Sequence, residues 1–271
     1  MSFMLNTFHG TSYLSCLPFE RAGGVAHGFS TRLGGVSQGV CAGLNLGYNR
    51  GDDPEHVLEN FRLFCRAIGA DYEGIVKTRQ VHLDHVQPVT GADKGRDLFR
   101  PAPWETDGLV TDVPGLCLTV FSADCVPVLF YDPHRHCIAA VHSGWRGTAM
   151  SIAARAVDRM VADYGCRPDH ILAAVGPSIS QCCFETHSDV PDAMTSALGP
   201  AAAPFLQEQG NGKYHVDLKG IIRHTLLTAG LDPAHISVTD HCTACRTDLY
   251  WSHRLLGDRR GSMAAMIQLT K

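Results

Sequence analysis

Between residues 109 and 141 the apolar residues come in short unbroken runs. Segments 109–113, 116–121, 126–131 and 137–141 are rich in Val, Ile, Leu and Phe, and Pro114-Gly115 and Asp132-Pro133 punctuate them as turns. Runs of that length and composition predict buried strands. The period then changes. After Thr148, read as an N-cap, Ile152, Ala153, Ala156, Val157, Met160 and Val161 recur at helical spacing as far as Gly165, which predicts a helix over 149–164 packed on the sheet. Segments 54–68, 189–198 and 217–229 predict further helices, and the Ala/Pro-rich "LGPAAAPF" at 198–205 predicts a surface loop. Strands and helices in mixed order give an α/β or α+β class, with either topology open. The chain shows no repeat period and no low-complexity linker, so residues 1–271 read as a single domain.

Composition narrows the class of protein. A chain of 271 residues, 45% hydrophobic and 18% charged, can bury a large core, as a globular enzyme does. A formal net charge of -4 gives no global basic field for nucleic acid or an anionic membrane. The longest apolar stretch, "GLCLTVFSADCVPVLFYD", is broken by Asp124, Pro127 and Asp132, short of the ~18 residues that a membrane span needs. The eleven cysteines are sparse for a disulfide scaffold, and "MSFMLNTFHG" lacks a basic start and an apolar stretch. A reducing, cytoplasmic setting is the expectation.

Three residues stand out as soft or borderline ligands. Cys125 lies directly before one predicted strand, His142 ends the next, and His82 follows Gln80-Val81 upstream. Two adjacent strands would bring Cys125 and His142 together. One Cys and two His, with a fourth position left to water, is the donor set of a catalytic zinc site, whereas taken singly each has an ordinary structural reading. Cys242 and Cys245 form a C-x-x-C with no second such pair, and read as structural or redox-incidental; Cys182-Cys183 reads as local packing.

Seven blocks carry a resemblance. "HGFSTRLGGVSQGVCAGLNLG" (27–47), "KTRQVH" (77–82), "TDGLVTD" (106–112), "SADCVPVLFYDP" (122–133), "AAVHSGWRGT" (139–148), "VGPSISQCCFE" (175–185) and "CTACRTDLYWSHR" (242–254) resemble, in order, the blocks of the YfiH family. That family has been called laccase-like or multicopper polyphenol oxidase, and more recently purine nucleoside phosphorylase and adenosine deaminase. The resemblance implies a YfiH-like, cysteine-hydrolase-type fold of mixed β-sheets flanked by helices, and a zinc held by His82, Cys125 and His142. Phe184-Glu185 stands where the family more commonly has Tyr-Glu, a departure that touches none of these ligands.

Other blocks supply secondary candidates. Ser30, Arg32 and Asn45 resemble a polar loop near substrate. Asp124 is open to two roles, proton carrier or carboxylate orienting a metal-bound His. Gln80 either points into the cleft or caps a turn. Arg146 offers a planar cation suited to phosphate, or a structural clamp. Trp145 stacks a purine or packs, and the Gly-rich turn after His142 leads into a helix start with free N–H groups where phosphate would be met.

Three classes of function follow. The first is a zinc-dependent purine nucleoside phosphorylase, with phosphate as co-substrate, acting on adenosine, inosine, guanosine or methylthioadenosine and also deaminating adenosine. An open zinc lowers the pKa of its water toward ~7, which suits deamination, although the H-x-E and P-C-x-x-C pattern of base deaminases is absent from the sequence. The second is a Cys125–His142 amidase or hydrolase acting on cell-wall precursors without metal. The third, copper-dependent phenol oxidation, fits least: the 15 His show no H-x-H pair followed by a His-Cys-His run.

Overall fold

The computed structural model describes residues 2–48 and 50–270. The chain opens with β1 (Phe3–Phe8), β2 (Thr11–Cys16), α1 (Leu17–Ala22), β3 (Val25–Ser30) and α2 (Pro54–Ile68). Then come β4 (Ile75–Lys77), β5 (Val86–Pro88), β6 (Gly108–Thr111), β7 (Cys117–Ser122), β8 (Val126–Asp132), β9 (Cys137–Ser143), α3 (Trp145–Ala149) and α4 (Ile152–Tyr164). The last third holds β10 (Leu172–Val175), β11 (Glu185–Thr186), α5 (Asp189–Leu198), β12 (Leu206–Gly210), β13 (Lys213–Val216), α6 (Leu218–Thr228), β14 (Ile236–Val238), α7 (His253–Leu256) and β15 (Met263–Leu269).

Two six-stranded sheets carry the core, in the orders β1-β2-β3-β15-β7-β4 and β14-β10-β8-β9-β6-β5, and a small third sheet runs β11-β13-β12. Most pairs are antiparallel, while β4–β7, β5–β6 and β10–β14 are parallel, so both large sheets are mixed. The second sheet is covered on both faces. Val126, Val128 and Phe130 of β8 and Ala139 and Val141 of β9 pack with Ile152, Val157 and Met160 of α4 and with α6. The intervening Leu129, Tyr131, Ile138 and Ala140 pack against Leu118, Val120, Ala265 and Ile267 of the first sheet. This two-sided burial is why the runs at 126–131 and 137–141 never alternate. The far face of the first sheet is closed by α2 through Val57, Phe61 and Phe64.

The predicted helix at 54–68 has the observed bounds: Asp53 caps it by accepting from Glu55 N, and Gly69 ends it in the left-handed region at φ 76°. The predicted helix at 149–164 is instead two, α3 and α4, broken at Ser151, whose φ is 59°. Thr148 lies inside α3 rather than capping a helix, because its hydroxyl is held 2.8 Å from that of Ser143 and pins the turn to the end of β9. "LGPAAAPF" is no open loop: Gly199–Phe205 is a 3-10 helix with Ala202 fully buried. The expected helix at 217–229 is α6, with Asp217 outside it as the cap, accepting from Gly220 N.

Candidate active site

Cys125 and His142 meet because β8 and β9 pair antiparallel, with Val126 opposite Ser143 and Pro127 opposite His142. Cys125 immediately precedes β8, and His142 is the penultimate residue of β9. His82 arrives from the loop between β4 and β5 in a left-handed conformation, φ 61°, and Asp124 beside Cys125 has φ 87°. Two non-glycine residues in that region flank one spot, and strain of this kind concentrates at functional sites. One ligand atom from each of His82, Cys125 and His142 lies within 4.8 Å of the others.

Asp107 sets this geometry. Its fully buried carboxylate takes four hydrogen bonds: Oδ1 accepts from His142 Nδ1 at 2.8 Å and from His82 N at 3.1 Å, and Oδ2 accepts from Val81 N at 2.9 Å and Leu83 N at 3.0 Å. One residue thereby orients the His142 ring and fixes the loop that carries His82. With Nδ1 engaged, Nε2 is the free nitrogen of His142, the arrangement of a metal-binding histidine with a carboxylate partner. Burial opposes ionisation of Asp107, but His142 and the Leu83 and Val81 amides hold the carboxyl below its usual range.

The donors and the space fit a zinc ion. One thiolate and two imidazoles form a zinc donor set. A Cβ at Gly144 would lie 3.0 Å from His82 Cδ2 and 3.2 Å from Cys125 Sγ, so the glycine clears room where the three side chains converge. Burial pushes the Cys125 thiol up, yet His142 and His82 outweigh it and bring it down to about 6. Burial pushes His142 down, and Cys125 and Asp107 reverse this, raising it to about 9.

Two cavities share Cys125. One, of ≈ 310 Å³, is lined by Arg50, Gln80, His82, His142 and Arg260. The other, of ≈ 150 Å³, is lined by Trp145, Ile179, Phe184 and Leu218, and His253 borders both. Arg260 is buried, and its Nε finds no partner among the described residues. Burial and the neighbouring Arg50 push its guanidinium down to about 10. Arg50 and Arg260 bring two guanidiniums to this cavity, which Asp258, 3.7 Å from Arg50 Nη1, also lines.

The remaining candidates are placed as follows. Gln80 lines the polar cavity but is clamped to β7, donating to Phe121 O and accepting from Phe121 N. Asp124 borders the apolar cavity, and its carboxylate accepts from Thr243 Oγ1, Ser252 Oγ and Arg254 N; the His-orienting role belongs to Asp107. Arg146 is exposed over the Trp145 ring, outside both linings. Ser30 accepts from Ala264 N, Arg32 stacks on Trp251, and Asn45 is engaged by Asp52 and Ser262 N. These three support the walls and do not line either cavity. The helix after His142 has only five residues. Asp107, Arg50, Arg260 and His253 escaped the sequence reading. Asp107 sat in the quoted "TDGLVTD" block, while the arginines are brought together by the return of β15 beside β3, where Leu46 N donates to Ser262 O.

The mixed α/β fold places His82, Cys125 and His142 at one cleft, and the sequence relationships give the class. Residues 26–270 match the family described as multi-copper polyphenol oxidoreductase laccase. The chain belongs to this YfiH or laccase-like family. It is 37% identical over 257 residues to purine nucleoside phosphorylase YlmD of Geobacillus stearothermophilus, covering 94% of this chain and 93% of that one. It is 34% identical over 251 residues to adenosine deaminase RL5 from an unknown prokaryotic organism, covering 92% and 95%. The crystal structure of Bacillus licheniformis hypothetical protein YfiH superposes with a TM-score of 0.92 at 33% identity, covering 98% of each chain. Among the described residues no helix is long and apolar enough to cross a membrane.

Proposed function

We propose that the chain is a zinc-dependent purine nucleoside phosphorylase that takes adenosine, inosine, guanosine or methylthioadenosine with phosphate, and that it also deaminates adenosine. The observation that carries this reading is the position of Cys125 between an arginine-lined cavity and an apolar, aromatic one. The recess beside Trp145 and Phe184 suits a purine face, and Arg50 with Arg260 suits phosphate. His82, Cys125 and His142 would hold zinc, which when bound supplies Lewis acidity and lowers the pKa of a water toward ~7. One thiolate and two imidazoles suit zinc better than the several His-rich centres of a multi-copper oxidase.

In phosphorolysis the C1′–N9 bond breaks, a C1′–O bond to phosphate forms, and the purine leaves carrying a proton. Arg50 and Arg260 hold the phosphate and neutralise its charge as it approaches C1′. Asp107 keeps the His142 ring from rotating, and His253, bordering both cavities, is the candidate to protonate the leaving purine. In deamination, water adds at C6 and ammonia leaves. Incubation of zinc-loaded protein with adenosine, with and without phosphate, tests the assignment: phosphate-dependent ribose 1-phosphate and adenine are expected for phosphorolysis, and inosine for deamination. Absence of both products from a folded, zinc-loaded chain would overturn it.

A second reading rests on a separate observation. Cys125 lies beside His142, whose Nδ1 donates to Asp107 Oδ1 at 2.8 Å, and the two histidines draw the Cys125 thiol down to about 6 while Cys125 and Asp107 draw His142 up to about 9, the directions that suit a nucleophilic thiol and its base in the metal-free chain. That pair would serve an amidase or hydrolase acting on cell-wall precursors. It requires activity that survives chelation and is abolished by a thiol reagent, the opposite of the zinc reading, in which a metal-held thiolate resists alkylation until the metal is removed.

A further inference from the structure

Four of the eleven cysteines converge on a second point. Cys182 and Cys183 lie on the turn before β11, and Cys242 and Cys245 on the segment between β14 and α7. The Sγ of Cys182 is 3.7 Å from those of Cys183 and Cys245, Cys183 Sγ is 3.4 Å from Cys245 Sγ, and all four sulfurs lie within 4.8 Å of one another. Four sulfurs at the ~2.3 Å bond length of a tetrahedral zinc stand about 3.8 Å apart, whereas a disulfide needs about 2.05 Å. The separations approach the first spacing and are far from the second.

The surroundings suit a thiolate cluster. Ser180 N donates to Cys242 Sγ at 3.3 Å, an amide hydrogen bond of the kind that supports metal ligands. Lys219 is buried, its Nζ held by the carbonyls of Thr239 and His241 at 2.9 Å each, and its charge acts on Cys242 and Cys182. A buried cation there offsets the negative charge of a zinc with four thiolates. Cys182 and Cys245 are exposed, which leaves an entry path for the ion. The C-x-x-C at 242–245 has its second pair after all, as two adjacent cysteines some 60 positions upstream.

We infer that Cys182, Cys183, Cys242 and Cys245 form a closed, structural zinc site that clips the loop before β11 to the segment after β14. The clip reaches the cleft through two connections. Thr243, between two of the ligands, donates to Asp124 Oδ1 at 2.6 Å, and Asp124 precedes Cys125. Ile179 packs with Cys242 and Ala244, with Phe184 and Cys183 against them, and Ile179 and Phe184 line the apolar cavity. The second zinc thus braces one wall of the proposed purine recess. The inference does not depend on what the cleft binds.

The test is zinc stoichiometry by native mass spectrometry on protein purified anaerobically with zinc, in wild type, Cys242→Ser/Cys245→Ser and His82→Ala. Wild type is expected to carry two zinc ions, and each variant to lose a different one. Because the serine variant could fail to fold, His82→Ala supplies an independent reading: X-ray absorption on its remaining zinc should show four sulfurs at about 2.3 Å and no nitrogen. A His82→Ala chain without zinc, a remaining zinc with nitrogen or oxygen neighbours, or a Cys183–Cys245 disulfide in the anaerobic protein would overturn the inference. A single wild-type zinc that survives in His82→Ala with an all-sulfur shell would uphold it while removing the metal from the cleft.

Discussion

Asp107 shows how much a single buried carboxylate can organise. Its two oxygens serve four donors from two separate segments, so an amide in its place presents an NH₂ group to amides that need an acceptor. Asp107→Asn is expected to weaken zinc binding in the cleft by about 10–100-fold, the effect typical of losing such a partner, with chelator competition as the measurement. Unchanged affinity would mean that His142 is oriented by something else. His27 allows a separate test of stability. It is buried, and Cys16 N donates to its Nε2 at 2.8 Å, which requires that nitrogen to be bare. Burial pushes its pKa from 6.5 down to about 4. Below pH 6.5 the unfolded chain takes up a proton that the folded chain refuses, so this contribution is complete above that pH and is lost as pH falls toward about 4. Its full size is about 3 kcal/mol. His27→Gln keeps an acceptor but cannot titrate, so its urea midpoints should fall less steeply than those of wild type across that window; parallel slopes would contradict the assignment.

At the scale of elements, the turn from β9 into α3 is where sequence pattern and structure part. The end of β9 was legible because its apolar run stops at His142, and α2 was legible because Asp53 and Gly69 mark its two ends. The break at Ser151 was not, since the apolar spacing from Ile152 onward fits one continuous helix as well as it fits α4. Thr148 has the side chain of a cap, but tertiary contact with Ser143 decides its use. Gly144 sits at this junction with φ -68°, a conformation open to any residue, so its lack of a side chain serves space rather than backbone freedom. Gly144→Ala should leave the thermal midpoint nearly unchanged while displacing His82 and Cys125 by a few tenths of an ångström. Turnover of adenosine is expected to fall by about tenfold or more. An alanine variant with full activity and full zinc content would show that the three ligands do not converge as described.

Across the whole molecule, the legible part of the site was the part written into adjacent strands. Cys125 and His142 are 17 residues apart in a hairpin, whereas Asp107 reaches His142 from the position just before β6, and Arg260 reaches the cavity from the far end of the chain. The four-cysteine cluster shows in the sequence only as a C-x-x-C and an adjacent pair some 60 positions apart, and the arginine pair has no local spacing signal, because each is assembled by the order in which the strands join the sheets. The layering of α2, two mixed sheets and the α4–α6 pair holds these distant segments rigid around one cleft. That architecture makes His82, on a loop outside the β8–β9 hairpin, the discriminating residue: a Cys125–His142–Asp107 nucleophile uses its imidazole only to help lower the thiol, whereas a three-ligand zinc site loses an essential arm. The decisive measurement pairs bound zinc with phosphate-dependent formation of ribose 1-phosphate from adenosine in His82→Ala and wild type. Zinc content is expected to drop by one ion per chain and phosphorolysis to fall to background together; a variant that loses that zinc and keeps full phosphorolysis would contradict the zinc mechanism.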